Sequence, residues 1–201
     1  MATVKTIKPA GDGDYTTLAL WEDFADGQST ADQWAECYSG GNLGAVTLAG
    51  WSATPTSTLY PKIYAADGNQ HGASVSSGAY ISSSAPISVG VDYTRIDGIR
   101  ITGTTNSNPA ITFLASGTSK DCRVDNCIVH GTFQYGIFMG QSTTGVTSSN
   151  YITNNIIVID GTAGTTPAGI YVYGTDGSSG TTSSYLYNNS IYVASPGSLN
   201  N

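Results

Sequence analysis

Charge is scarce in this sequence. Its 201 residues include seven lysines and arginines and fourteen acids, so only 10% are charged and the net charge is −7. Globular domains carry about 25% charged residues. The 39% apolar content nevertheless argues against disorder, because disordered chains are rich in charge and poor in aromatic residues. The scattered basic residues form no electrostatic footprint for nucleic acid or anionic lipid, so we expect neither as a partner.

Long apolar runs are missing as well. The opening stretch MATVKTIKPAGDG has lysines but no apolar segment of the kind that marks a secretory signal. No run approaches the length of a membrane span. We therefore expect a soluble protein made in the cytosol, which leaves the cell, if at all, by lysis or another route without a signal. The cysteines are Cys37, Cys122 and Cys127, an odd number that does not fit a disulfide framework.

The segment CRVDNCIVHG, residues 122–131, raises the question of a metal or redox site. Cys122 and Cys127 are too far apart for the CxxC spacing that such sites use. His130 has no histidine or cysteine partner at ligand spacing, so we expect a lone histidine in a turn. We interpret Cys127 as a core residue, because a buried free cysteine behaves as a small hydrophobe. We expect neither a metal nor a cofactor.

The segment is instead one of four repeats. These align through Gly98, Asn126, Asn154 and Asn188, at steps of 28, 28 and 34 residues. We expect this column to adopt a left-handed turn conformation, which glycine and asparagine tolerate best. The aligned segments are RIDGIRITG, RVDNCIVHG, YITNNIIVIDG and YLYNNSIYVAS. Their apolar residues form two columns, Ile96, Val124, Ile152, Leu186 and Ile101, Val129, Ile157, Ile191.

The residue after each turn position is predicted to face inward. Asn155 then lies over Asn189, and their side chains can form an amide ladder between stacked strands. A further set of short segments aligns through Ile111, Ile137, Ile170 and through Phe113, Met139, Val172. Short alternating strands without long helices between them predict an all-β fold, a parallel β-helix whose like strands stack about 4.8 Å apart.

The first 40 residues differ from the repeats. Leu18, Trp21 and Phe24 follow helical spacing after Thr17, a favourable N-cap residue. The segment STADQWAECYSGG predicts a second short helix with a capping box that begins at Thr30. An open solenoid exposes unpaired strands at its first coil, so an amphipathic helix there can serve as a cover.

We therefore divide the chain into an N-terminal strand and helical cap, residues 1–40, and parallel β-helix coils, residues 41–201. The coils end just after a strand of the fourth repeat, so we expect either further chain or a neighbouring molecule to cover the last one. The early coils are less regular, with strands predicted near Ala45–Leu48, Lys62–Ala65, Tyr80–Ser82 and Ile87–Val89.

The repeats resemble those of the right-handed parallel β-helix (pectate-lyase-like) superfamily over nearly the whole chain. The segment GDYTTLALWE, Gly13 to Glu22, resembles the one that opens many β-helix proteins encoded in bacteriophage and phage-rich bacterial genomes. The resemblance implies a right-handed solenoid with a small N-terminal helical cap. It implies no single function, because the superfamily includes pectate lyases, polygalacturonases, phage tailspikes and non-enzymatic virion proteins.

Two acids form the best candidate for a chemical site. Asp97 and Asp125 occupy equivalent repeat positions, as do Arg95 and Arg123, and all four are predicted to point outward. One interpretation is a Ca²⁺ or acid/base site in which one aspartate raises the pKa of the other. The other is a surface cluster in which the arginines offset the like-charged pair. The superfamily's NTD, GHG, RIK and WIDH signatures are absent from the sequence, so no catalytic residue carries over.

Outward aromatic residues form the second candidate site. Phe138 and Tyr171 align with Thr112 on one outer column, and outward aromatic residues on a solenoid usually mark a contact surface. They can lie between subunits, where tyrosine is favoured, or stack on sugar rings. The full set of predicted contact residues is Phe138, Tyr171, Tyr173, Tyr185, Tyr187 and Tyr192.

These features favour a non-enzymatic structural or attachment protein of a bacteriophage particle, such as a head decoration, fibre or tailspike-type protein. Its expected location is the virion, with an extracellular location as the alternative. Expected partners are copies of itself, as a homotrimer, other virion proteins and a cell-surface polysaccharide. One alternative is the N-terminal part of a polysaccharide lyase or glycoside hydrolase, a tailspike depolymerase with catalytic coils after residue 201. A bacterial surface adhesin is the third hypothesis.

Overall fold

The computed structural model describes residues 1–104, 107–113, 121–141, 147–161, 166–174 and 181–194. These residues form one helix, α1 (Leu18–Ala25), and seventeen strands. The strands of the first half are β1 (Thr3–Ile7), β2 (Gln33–Cys37), β3 (Val46–Leu48), β4 (Lys62–Ala65), β5 (Tyr80–Ser82), β6 (Ile87–Val89), β7 (Arg95–Asp97), β8 (Arg100–Thr104) and β9 (Ile111–Phe113). Those of the second half are β10 (Arg123–Asp125), β11 (Ile128–Thr132), β12 (Tyr135–Gln141), β13 (Thr147–Thr153), β14 (Ile156–Asp160), β15 (Ala168–Gly174), β16 (Thr181–Tyr187) and β17 (Ser190–Ala194).

The strands form three parallel sheets. Sheet one has the order β1-β2-β4-β7-β10-β13-β16, sheet two β5-β8-β11-β14-β17, and sheet three β3-β6-β9-β12-β15. From β4 onward the chain visits the three sheets in turn, so one strand of each makes a coil that stacks on the coil before it. This confirms the prediction of an all-β fold built as a parallel solenoid.

The predicted apolar ladder has the predicted register. Val124 pairs with Ile96 on one side and Ile152 on the other, and all three side chains are buried. Leu186 continues the column opposite Ile152, but its predicted burial is wrong, because it is 46% exposed. Ile191 on β17 is exposed in the same way. Both belong to the last strands of their sheets, and no described strand packs over them.

The predicted turn column is confirmed. Gly98, Asn126, Asn154 and Asn188 have φ values of 72°, 53°, 57° and 53°. All four lie in the left-handed region of backbone conformation. Apart from glycine, asparagine adopts this conformation at a lower energetic cost than most residues. The same turn therefore recurs between sheets one and two in successive coils.

The inward column beside the turns is also confirmed. Cys127 and Asn155 are fully buried, and Asn155 Nδ2 lies 3.0 Å from Asn189 Oδ1, as expected for an amide ladder. Burial raises the pKa of the Cys127 thiol to about 12. This thiol is un-ionised at neutral pH, which fits a core residue and not a reactive one.

The N-terminal region is partly as predicted. Helix α1 follows Thr17, whose hydroxyl accepts a hydrogen bond from Leu20 N at 3.4 Å. Leu18 and Trp21 are fully buried, and the helix packs against β1, β2 and β3. It thus buries its apolar face on the first strands of sheets one and three. The boundary at residue 40 stays a prediction.

The second predicted helix is wrong, because its residues form strand β2. Gln33, Ala35 and Cys37 are buried while Trp34 and Glu36 are less so, which is the period of two of a strand. The Gln33 amide does donate to Thr30 O and Oγ1. In a capping box the Gln33 oxygen would instead accept from the Thr30 N–H, but Gln33 Oε1 is buried without a hydrogen-bond partner among the described residues. The sequence pattern of a capping box is therefore present without its hydrogen bonds.

His130 is also not in a turn. It lies within β11, and its Nε2 is 3.9 Å from a carboxylate oxygen of Asp160 on the neighbouring strand β14. Among the helices of the described ranges, none is long and apolar enough to cross a membrane.

Candidate functional surface

The acidic candidate lies on sheet one, where Asp97 and Asp125 are register neighbours on β7 and β10. Arg95 and Arg123 are neighbours in the same way, two residues earlier on the strands. All four flank the buried Ile96–Val124 column and are partly exposed. The sequence therefore predicted which side chains lie together, while their role stays a prediction.

The two aspartates differ in their contacts. Asp97 lies 3.4 Å from Lys62 Nζ and accepts a 3.1 Å hydrogen bond from Asn126 Nδ2. Asp125 accepts a hydrogen bond from the Thr153 hydroxyl. Burial raises the pKa of Asp125, and the neighbouring charge of Asp97 raises it further. The two carboxyls thus have unequal environments, which is the usual requirement for an acid/base pair.

The arginines pair with a different acid. Arg95 and Arg123 lie 3.8 Å and 3.7 Å from the carboxylate of Asp121, and Arg95 also donates to the Asp121 carbonyl. Burial and the neighbouring Arg123 lower the pKa of Arg95. The printed ion pairs are thus Arg95 and Arg123 with Asp121, and Lys62 with Asp97. The charges of Arg123 and Arg95 still lower the pKa of Asp125 against the larger effect of burial, so they partly offset the like-charged pair.

Sequence reasoning missed Asp121 because it precedes the aligned repeat. Its φ of 52° is left-handed, and its carboxylate lies near arginines of two successive coils. In the described ranges no group of three or more histidines, cysteines or acids could hold a metal ion. A cation at this pair would meet the carboxylates of Asp97 and Asp125, with the Thr153 hydroxyl beside Asp125.

The first aromatic cluster lies on sheet three and consists of Tyr135, Phe138 and Tyr171. Phe138 pairs in register with Thr112 and Tyr171, as predicted. The ring centroids of Tyr135 and Tyr171 are 4.6 Å apart with an interplanar angle of 11°. Phe138 lies 5.7 Å from Tyr135 and 5.9 Å from Tyr171, again nearly parallel. We call these three rings the sheet-three stack.

Sequence reasoning missed Tyr135 because strict alternation places it on the same side as the buried Ile137. Gly136 breaks that alternation, since a Cβ on it would point at Gly169 O at 2.5 Å. Tyr135 can therefore face outward beside Phe138. Tyr173 is two residues beyond Tyr171 on β15 and is also exposed.

The other predicted aromatic residues lie on different sheets. Tyr185 and Tyr187 are on β16 of sheet one, where Tyr185 stacks on Tyr151 with centroids 4.8 Å apart. The guanidinium of Arg123 lies 4.7 Å from the Tyr151 ring centroid, a cation–π contact. Tyr192 is on sheet two and is 63% exposed. The predicted contact residues thus lie on three sheets, with Phe138, Tyr171 and Tyr173 together on sheet three.

No protein-family model matches the chain, and neither does any curated protein or any solved structure. The geometry of the repeats, the unequal aspartates and the aromatic clusters are therefore the observations from which a function can be argued.

Proposed function

We propose that this chain is a non-enzymatic structural or attachment subunit of a bacteriophage particle. The observation that carries the proposal is the sheet-three stack, three nearly parallel aromatic rings on the outer face of a solenoid. Tyr171 in it is 37% exposed. Clustered outward aromatic residues on a protein with so few charges favour a contact surface over a purely solvated one.

The sheet-three stack suits contact with another protein better than catalysis. Aromatic side chains supply large contact area at low entropic cost, and burying them contributes roughly 25 cal/mol per Å² of apolar area before the costs of association. Parallel stacking holds the rings in one arrangement in advance, which reduces the ordering cost. A neighbouring copy is the first partner we propose, as in the homotrimers that the resemblance suggests.

The identification of the solenoid as a right-handed β-helix is part of the same proposal. We take the three-sheet solenoid to be a right-handed parallel β-helix, because crossovers between parallel strands are right-handed in nearly all proteins. The left-handed turns at Asn126, Asn154 and Asn188 and the buried Asn155 ladder support it. The setting in a virion rests on the resemblance of Gly13 to Glu22 to the opening segment of phage-encoded β-helix proteins.

The experiment that tests this function is purification of assembled particles from cells that express the chain. We expect the chain to remain with particles through density-gradient separation, at a copy number that is a multiple of three for a homotrimer. Recovery of the chain only in the free fraction, at every stage of assembly, contradicts a virion role. Retention on host cells or purified surface polysaccharide in the absence of particles points to attachment instead of particle structure.

A second candidate function is degradation of a surface glycan, and the unequal Asp97–Asp125 pair favours it. Burial and Asp97 raise the pKa of Asp125, as in a general acid. Assays for reducing ends and for unsaturated uronates, across a polysaccharide panel with and without Ca²⁺, separate the two functions. We expect no turnover; turnover that Asp125→Asn abolishes would establish the enzyme instead.

A further inference from the structure

A cavity lies at the carboxyl ends of β3 and β6, and its lining includes neither the sheet-three stack nor Asp97 or Asp125. Its volume is about 340 Å³. The connection after β3 and the turn after β6 supply the residues that line it, among them Gly50, Trp51, Ala53, Thr54, Gly90 and Asp92. Thr54 is exposed, so the cavity opens to solvent.

Helix α1 holds the aromatic wall of this cavity in place. Trp51 Nε1 donates a 3.2 Å hydrogen bond to a carboxylate oxygen of Glu22, which also accepts from Ala49 N at 3.2 Å. The Trp51 ring packs edge-on against Trp21, with centroids 6.1 Å apart. Trp21 is fully buried. Hence the indole has a fixed position before any ligand binds, which lowers the cost of binding.

The remaining walls combine small apolar residues, Ala53, Pro55 and Val91, with two glycines and two polar residues. Gly50 has a φ of 74°, and a Cβ there would meet nothing within 4 Å, so open space adjoins the chain at this point. Asp92 supplies a carboxylate and Thr54 a hydroxyl. A carboxylate has several acceptor positions, so Asp92 can accept hydrogen bonds from a ligand in addition to its contact within the protein.

We infer that this cavity binds a pyranose ring of a neutral saccharide. The fixed indole offers a flat surface to the C–H face of a sugar, and the carboxylate and hydroxyl fit its hydroxyl groups. Asp92 disfavours an anionic ligand. A quaternary ammonium group would need an aromatic cage, whereas among the described lining residues Trp51 is the single aromatic one. The volume is at the small end of ligand pockets, roughly 300–1,000 Å³, and suits one or two sugar rings.

Titration of the full chain with methyl pyranosides tests the inference. The panel consists of the methyl glycosides of glucose, galactose, mannose and N-acetylglucosamine, followed by tryptophan fluorescence and calorimetry. We expect at least one of them to bind saturably. Ala53 lines the cavity and is only partly buried, so Ala53→Phe should occupy part of the cavity and weaken that binding more than tenfold. Asp92→Asn should weaken it about tenfold, as loss of a charged hydrogen-bond acceptor does.

The controls separate this site from the proposed function. Asp12→Asn changes an exposed acid elsewhere and should leave the affinity unchanged. The double variant Phe138→Ser, Tyr171→Ser disrupts the sheet-three stack and should also retain pyranoside binding. The inference is overturned if no pyranoside binds the folded protein, if Ala53→Phe and Asp92→Asn bind as the parent does, or if tetramethylammonium binds in place of every pyranoside.

Discussion

The side-chain oxygen of Asn155 accepts a hydrogen bond from the backbone N–H of Cys127 at 2.8 Å, across the gap between two successive coils. Its Nδ2 donates to Val124 O at 2.9 Å. Asn155 and Cys127 are fully buried. One amide thus satisfies two backbone groups that water does not reach, and it ties the turn of one coil to the strand of the coil before it.

Replacing Asn155 by alanine should therefore destabilise the protein markedly. The change leaves the Cys127 N–H and the Val124 carbonyl without this partner, at about 1–3 kcal/mol for each buried group. Urea unfolding measures the loss. Thr47→Ala, at an exposed position of β3, should change the free energy of unfolding by less than about 0.5 kcal/mol. An equal effect of the two substitutions would show that the ladder does not stabilise the coils.

Val124→Asp tests the buried apolar column of sheet one. Val124 is fully buried between Ile96 and Ile152, so the substitution places a carboxylate in an apolar stack. We expect a loss of about 4 kcal/mol or more in the free energy of unfolding. Val4→Asp is the matched control, because Val4 is exposed on the same sheet. A Val124→Asp protein that unfolds at the parent's urea concentration would contradict the buried ladder.

Gly131→Ala tests the close approach of two coils at sheet two. A Cβ at Gly131 would lie 2.2 Å from Gly103 O, and the φ of Gly131 is 129°. Gly11 has a φ of 97°, and a Cβ on it would meet nothing within 4 Å. Gly11→Ala should thus cost only backbone strain, about 1–3 kcal/mol, and Gly131→Ala should cost more. Equal shifts in melting temperature would mean that the coils can separate at this position.

Asp125→Asn should change how stability depends on pH. Burial and Asp97 raise the pKa of Asp125 in the folded state, so ionisation of this carboxyl disfavours folding. Its favourable contribution is complete below the unfolded pKa of about 3.9 and is lost as the pH rises through the folded pKa. The asparagine variant lacks that loss, so its stability relative to the parent should rise between pH 3 and pH 7. A constant difference across a pH series of urea midpoints would refute the raised pKa.

The columns of the solenoid could be predicted because the same residue types recur at equivalent positions of successive repeats. Glycine and asparagine tolerate a left-handed turn best, so Asn126 and Asn154 mark the recurring turn between sheets one and two. The strand at Gln33–Cys37 was not predicted, because Thr30 and Gln33 have the spacing of the capping box that starts many helices. The period of two is visible in which side chains are buried, but the sequence does not show it, since the polar Gln33 lies on the buried side and Trp34 on the other.

The candidate sites were less predictable than the columns. Asp121 and Tyr135 lie at the edges of aligned repeats, where Gly136 and a left-handed turn reverse the expected side-chain directions. Trp51 and Asp92 come from irregular connections of two coils and meet only in the folded protein. No spacing within a repeat relates such residues, so tertiary structure is needed to bring them together.

The molar mass of the intact protein and of the double variant Phe138→Ser, Tyr171→Ser, measured by light scattering after size exclusion, tests the proposed assembly most directly. The account predicts that the parent is a trimer and that the double variant is a folded monomer with the parent's circular dichroism spectrum. Tyr192→Ser, on the outer face of sheet two, serves as the control and should remain trimeric. A parent that is monomeric at all concentrations, or a double variant that assembles as the parent does, would contradict the account.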